Sequence, residues 1–368
     1  MRWTGWLAVG LLCLWAGGLG GAAYAQIEEL PRPPSADSAS FGVAVALDDS
    51  IAVVGASGEA TCGANGGAVY VYTHRSGPPS RWVNTARLTP EPCRPNAFFG
   101  EAIALSGSRL LVSASSEYFA TEKPNAAYVF ARDSTGRWTQ TDRLTAPPGR
   151  QEGSFAADVA LEGDRAAVST SGSREGAYGG AVYVFEHEDA VGWRRTARLA
   201  ASRGVDAGVL GGTVSLSGNH LAVAASTYFQ REPGSVYVFR YNERTRRWRE
   251  AARLPGVESF FIDLALDGRT LVVGEDRAGG DDAGVATVYT DRDSTWTPTA
   301  LLRASTPYES GAFGSSVALG DPWALITGYD EQLGKEFNID RVVYVFRRRG
   351  EGAWHQQTIL DLGEVGFG

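Results

Sequence analysis

The chain has 368 residues, a formal net charge of −8 at pH 7 and 43% hydrophobic residues. That is enough apolar material for a large core, and the acidic balance excludes a general nucleic-acid binder, whose footprint is basic. Three cysteines, with no C-x-x-C and no Cys/His spacing, leave no pattern for a metal site.

Residues 1–25 carry an early Arg2, an apolar core from Leu7 to Leu19 and a small-residue end, Ala23-Tyr24-Ala25. This reads as a secretory signal peptide cut before Gln26. A membrane anchor is the alternative, but the apolar run is short for a span and interrupted by glycine. Cys13 would fit a lipoprotein site only after a small residue, and Leu12 precedes it. The expected mature chain is a single domain, residues 26–368, secreted, periplasmic or at the cell surface, with no membrane span after cleavage. Such compartments permit disulfides.

From Phe41 onward one unit recurs six times. It opens with Phe-Gly-x-x-Val-Ala-Leu, at Phe41, Phe99, Phe155, Leu210, Phe260 and Phe313, at steps of 58, 56, 55, 50 and 53 residues. An apolar run follows, then Val-Tyr-Val-Phe or a close variant around Tyr70, Tyr128, Tyr183, Tyr237, Val288 and Tyr344. Trp-x5-Leu ends the unit, from Trp82/Leu88 to Trp354/Leu360, and six of the seven tryptophans outside the leader stand there. The elements are short, rich in Val, Tyr, Phe and Trp, and bounded by Gly, Asp, Asn or Ser, which is strand chemistry. No stretch holds a helical apolar period long enough for a sizeable helix.

We label the four strands A to D. The A–B links are tight turns such as Ser106-Gly107-Ser108 and Asp267-Gly268-Arg269, and the C–D links are hairpin-like. The B–C loops are long and varied, and most D–A links run about ten residues. Four antiparallel strands at this period predict an all-β fold, a six-bladed β-propeller of four-stranded blades, with an open solenoid as the structural alternative. The repeats span about 41–88, 99–144, 155–199, 210–254, 260–302 and 313–360. Ile27–Leu30 resembles a further D strand without its Trp, so residues 26–40 become a possible ring-closing strand that competes with Trp354–Leu360. A seven-bladed ring would need three more strands. A closed ring needs no partner to bury its core, so a monomer is expected.

The units resemble FG-GAP repeats, the blades of the integrin α-subunit propeller and of many secreted bacterial proteins. Phe41-Gly42, Phe99-Gly100 and Phe313-Gly314 keep the "FG", and Gly55-Ala56 keeps the "GA". The resemblance implies an extracellular propeller used as an adhesion or recognition platform, sometimes with calcium. Integrin blades hold calcium in a D-x-D-x-D-G loop between strands A and B. The A–B turns here are too short and too poor in oxygen for a cation that wants six to eight ligands. No cofactor is therefore expected.

Strand alternation puts the B–C and D–A loops at one end of the blades, where recognition usually lives. Cys62 and Cys93 both fall there, and a disulfide between them would close a loop of about 30 residues; two free thiols is the alternative. Tyr118-Phe119 and Tyr228-Phe229, with Tyr178 and Tyr329, could stack on sugar rings or anchor a partner, or could pack against neighbouring loops. Asp276, Asp281, Asp282, Asp330 and Glu331 could bind a cation or a basic partner, or form a solvated acidic rim. The basic clusters Arg244–Arg249 and Arg347–Arg349 read as solvated hairpin tips. There is no G-x-S-x-G, no H-E-x-x-H and no phosphate loop, and the four histidines are spread over four blades. The expectation is a non-enzymatic module that binds an extracellular protein or glycan. The alternative is a carbohydrate-active lyase or hydrolase using loop carboxylates near the axis.

Overall fold

The computed structural model describes residues 10–12, 27–34, 39–77, 81–115, 125–147, 154–170, 180–201, 209–226, 233–257, 259, 262–279, 282–307, 311–330, 340–350 and 352–361. Among them are six four-stranded antiparallel sheets, each built from four consecutive strands, and no α-helix. The fold is all-β, with the sheets as blades of a β-propeller. A seventh such sheet is not found among the described residues.

The chain divides into two compact units. The first holds blade 1 (Phe41–Asp48, Ile51–Ala56, Ala68–Arg75, Arg81–Leu88) and most of blade 2 (Ile103–Ser106, Arg109–Ala114, Ala126–Arg132, Trp138–Leu144). The second holds blade 3 (Phe155–Glu162, Arg165–Thr170, Ala181–Glu188, Gly192–Leu199) and blade 4 (Val209–Ser217, His220–Ser226, Gly234–Asn242, Arg247–Val257). It continues with blade 5 (Ile262–Asp267, Thr270–Glu275, Val285–Arg292, Thr295–Leu302) and blade 6 (Val317–Gly320, Trp323–Asp330, Asp340–Arg349, Ala353–Asp361). The outer edge of blade 6 is thus taken by Ala353–Asp361, while Ile27–Glu29 pairs with Gly10–Leu12. The following residues lie on blade 1: Leu30 joins its core, and the Tyr72 hydroxyl donates to the Pro31 carbonyl at 2.8 Å.

Strands B and C are apolar on both faces because both are covered. In blade 1 every residue of Ile51–Ala56 is buried, whereas Arg81–Leu88 is mostly polar between the buried Trp82 and Leu88. In the second unit the cores lie between facing sheets. Val182 and Val184 of blade 3 pack with Leu221, Val223 and Tyr237 of blade 4, and Leu271 and Val273 of blade 5 pack with Val236 and Val238 of blade 4. The opening Phe of the repeat sits edge-on to the Tyr of its own strand C: Phe41 to Tyr70 at 5.8 Å, Phe99 to Tyr128 at 5.7 Å and Phe313 to Tyr344 at 5.1 Å between centroids.

The Gly after that Phe has a geometric cause. Gly42, Gly100, Gly211 and Gly314 have φ of 90°, 97°, 105° and 94°, and in blades 1, 3 and 4 the A–B register slips at this point, the mark of a bulge. The bulged backbone presses on the preceding blade. The Gly100 carbonyl lies where a Cβ on Gly55 would stand, and Gly314 meets Gly274 in the same way. The "FG" of one repeat and the "GA" of the repeat before it are therefore two halves of one contact.

Neighbouring inner strands are also joined by polar side chains. The last residue of strand A accepts a backbone N–H from the next blade's A–B turn: Asp48 from Gly107, Glu162 from Gly218, Ser217 from Gly268 at 3.0 Å and Asp267 from Asp321 at 2.9 Å. Midway along the strand, Asp158 accepts from Val214 N–H at 2.7 Å, Ser215 from Leu266 N–H at 3.0 Å, and Asp263 from Val317 N–H at 2.8 Å and from the Ser316 hydroxyl at 2.9 Å. Burial pushes the Asp158 carboxyl up to about 7, the nearby Asp263 adds to the rise, and the amide bonds only partly offset it. Asp263 is raised by burial as well.

Two outcomes follow for stability. Gly55→Val should drive a side chain into the Gly100 carbonyl and cost about 1–3 kcal/mol in denaturant unfolding; an unchanged midpoint would mean that the blades do not touch there. A carboxyl raised in the folded state stabilises the fold below the unfolded value of 3.8 and loses that contribution as pH climbs through about 7. The melting temperature of the wild type should therefore fall more steeply from pH 4 to 8 than that of Asp158→Asn, and parallel profiles would contradict the assignment.

Candidate functional site

The best-defined part of the loop end lies in the first unit, where the B–C loop of blade 1 meets the D–A loop that follows it. Both loops are fastened. Cys62 and Cys93 form a disulfide with Cα atoms 5.6 Å apart. Beside it, Asn96 N–H donates to the Ala64 carbonyl at 2.7 Å and Phe98 N–H to the Asn65 carbonyl at 2.9 Å. Asn65 and Asn96 also bond through their side chains at 3.3 Å. Asn65, Asn96 and Phe98 all have positive φ, near 50°, so the two loops are tightly turned rather than extended.

Underneath, Glu59 ties the B–C loop to the sheet. It is 5% exposed. The Tyr70 hydroxyl donates to Glu59 Oε2 at 2.7 Å, and Thr61 donates to Oε1 at 3.2 Å. Arg87 reaches Oε1 through both Nε, at 3.0 Å, and Nη2. Burial works against the charge of Arg87, yet Glu59 and Tyr70 together outweigh that cost and its pKa rises above the ordinary arginine value. An acid in a loop would normally be solvated; this one is consumed by the frame. The result is a rigid loop pair whose outer side chains, Arg94 and Pro95 among them, are exposed.

The expected aromatic residues fare differently. Tyr118, Phe119, Tyr178, Tyr228 and Phe229 lie outside the described residues, as does the Phe260-Phe261 copy of the repeat opening. Tyr329 is described, and it belongs to a strand rather than a loop because Trp323–Asp330 runs on against the long partner Asp340–Arg349. It is half-buried, its hydroxyl accepts from Arg341 Nη2 at 3.3 Å, and that guanidinium stands 5.6 Å from its ring centroid.

The acidic residues do not converge either. Asp276 accepts from the Ser259 hydroxyl, and burial raises its pKa despite that bond. Asp282 is exposed with φ of 52°. Asp330 ends strand B of blade 6, opposite Asp340, and Asp281 and Glu331 lie outside the described residues. Among the described residues no three of His, Cys, Asp and Glu gather as a metal site. Two histidines serve the frame: His74 stands 5.0 Å from Trp82 and His187 5.4 Å from Trp193, each opposite its partner across the C–D hairpin.

A family model described as FG-GAP repeat matches residues 33–72, 82–130 and 138–185. Residues 33–185 carry FG-GAP repeats. The matched stretches run through blades 1 to 3; blades 4 to 6 repeat the strand order, and blade 6 repeats the Phe-Gly contact with the blade before it. No curated protein matches the chain. Among solved structures, the one titled "Structure of YjhT" aligns at a TM-score of 0.47 and 12% identity, covering 86% of this chain and 96% of that one. At those values the likeness bears no argument about function.

Sequence reasoning found the cysteine pair but missed Glu59 and Arg87. A Glu three residues after Gly55-Ala56 and an Arg one residue before Leu88 look like ordinary surface charges. Only the fold brings them together. Cys62→Ser with Cys93→Ser should lower stability by about 3 kcal/mol in chemical denaturation, and a loss below a few tenths would show that the loops stand without the bond.

Proposed function

We propose that this FG-GAP propeller is a secreted, non-enzymatic binding module that takes an extracellular protein or glycan at its B–C and D–A loop end. The observation that carries the reading is the braced loop pair of blade 1. A disulfide, backbone bonds between the loops and an ion pair between the buried Glu59 and the more exposed Arg87 fix the shape of exposed backbone that no core requires. Preorganised loops lose less entropy on binding. The disulfide also fits a compartment outside the cytosol, and with the leader it supports secretion. No helix among the described residues is long and apolar enough to cross a membrane.

The carbohydrate-active alternative asks for carboxylates free to trade protons. Asp158 and Asp263 are the two raised carboxyls of the inner strands, and both hold backbone amides of the next blade. Carboxyls engaged in this way favour the binding reading.

The test is a glycan and extracellular-protein array probed with residues 26–368. A ligand should be retained by the wild type, and Tyr118→Ala, Phe119→Ala, Tyr228→Ala and Phe229→Ala combined should weaken it at least tenfold. Undiminished signal from that variant would remove the aromatic loops from the site, and turnover of a captured glycan would remove the non-enzymatic reading.

A further inference from the structure

We infer that the opposite end of blades 4 to 6, built from their A–B and C–D turns, is a second binding surface, for an anionic polysaccharide. The C–D hairpin of blade 4, residues 240–249, has five arginines and one carboxylate, and that of blade 6 adds Arg347, Arg348 and Arg349. Arg244, Arg246, Arg247, Arg249, Arg292, Arg347 and Arg349 are exposed. These turns contain no lysine. The cationic groups are all planar forks, suited to the paired oxygens of a carboxylate or sulfate.

Most acids of the same turns are engaged within the frame. Asp267 holds the Asp321 amide, Asp321 pairs with Arg348, and Glu243 accepts from Asn219 at 3.0 Å. Asp291 is buried, 3.7 Å from Arg269 and 3.5 Å from His220. Asp293 stays at the surface. By residue count these turns stay net positive, ten arginines against six acids, in a chain whose net charge is −8. A polyanion repelled elsewhere would be steered to this end.

The three blade ends also form one continuous surface. Arg240 Nη1 donates to the Ser294 hydroxyl of blade 5 at 2.7 Å, and Arg348 Nη1 to the Thr270 hydroxyl of the same blade at 3.5 Å. Arg347 lies over the Trp323 ring at 5.1 Å, which holds its fork in place. Two depressions interrupt the surface. One, of about 570 Å³, is lined by Arg269, Arg292 and Arg348 but also by Asp267, Asp291, Asp293 and Asp321, and the other, of about 280 Å³, by Arg240 and Arg249 with Glu243. The positive charge therefore lies on the hairpins around the depressions rather than inside them. The described hairpin tips, Asn242–Arg247 and Arg292–Thr295, have no large apolar side chain to enter a bilayer. That favours a hydrated chain of anionic sugars over a lipid surface.

The experiment measures retention of residues 26–368 on dextran sulfate, polygalacturonate, neutral dextran and vesicles containing anionic lipid, from 50 to 300 mM salt. The expected result is binding to one or both anionic glycans and not to neutral dextran, weakening steeply with salt. Arg244→Ala, Arg246→Ala, Arg247→Ala and Arg249→Ala together should cut affinity at least tenfold and flatten the salt dependence. Arg347→Ala with Arg349→Ala should do so to a smaller degree. Circular dichroism and the melting temperature confirm that each variant is folded. The combined aromatic loop variant should bind these glycans as the wild type does, which separates this surface from the loop end. Binding by the arginine variants equal to wild type, binding to vesicles alone, or no binding at 50 mM salt would overturn the inference.

Discussion

The free edge of each inner strand is the constraint on which this structure depends. Strand A pairs on one side with strand B and has no strand on the other, so its outward amides need partners or water. The preceding blade supplies them through side chains. Asp158 answers Val214, Ser215 answers Leu266, Asp263 answers Val317, and the residue closing strand A answers the next turn. A carboxylate or hydroxyl at a fixed place in one repeat is thus defined by a backbone group in the following repeat. This explains why acids stand in A–B turns that hold too few oxygens for a cation.

The repeat's glycines follow from the same closeness. A bulge at Phe-Gly brings backbone against backbone, and only a residue without a side chain permits it at both Gly55 and Gly100. At Ala156, which replaces the motif glycine, φ is 60°, so blade 3 accepts a strained residue to keep the same bulge. Keeping geometry where the residue changes indicates that the contact, rather than the glycine itself, is what the blades need.

The two ends of the blades divide their tasks accordingly. The short turns are held by neighbouring blades and can vary only in side chains that point outward, which is where the arginines sit. The long loops are not required by the sheets, so they vary in length and need their own fastening, as Glu59 and the cysteine pair provide in blade 1. The arginine-bearing turns rest on sheets whose cores lie between neighbours, and in blades 1, 3 and 4 the tryptophan at the start of strand D packs beside the strand C residue opposite it, His74, His187 or Tyr241.

Much of this was legible in the amino-acid order alone. Six spaced copies of Phe-Gly, Val-Tyr-Val-Phe and Trp-x5-Leu, with turn residues between them, determined the strands, their order in each sheet and the number of blades, because those depend on local alternation and turn chemistry. Cys62 and Cys93 were legible as a pair because they share a blade end. The destinations of individual polar groups were not. That Glu59 belongs to Arg87, that Asp158 holds an amide 56 positions on, that Asp276 is taken by Ser259, and that Ala353–Asp361 rather than Ile27–Glu29 completes blade 6 were all decided by tertiary structure. A strand's own residues state which face is apolar, but the partner of a buried charge is chosen by distance in space, and neighbouring blades set that distance.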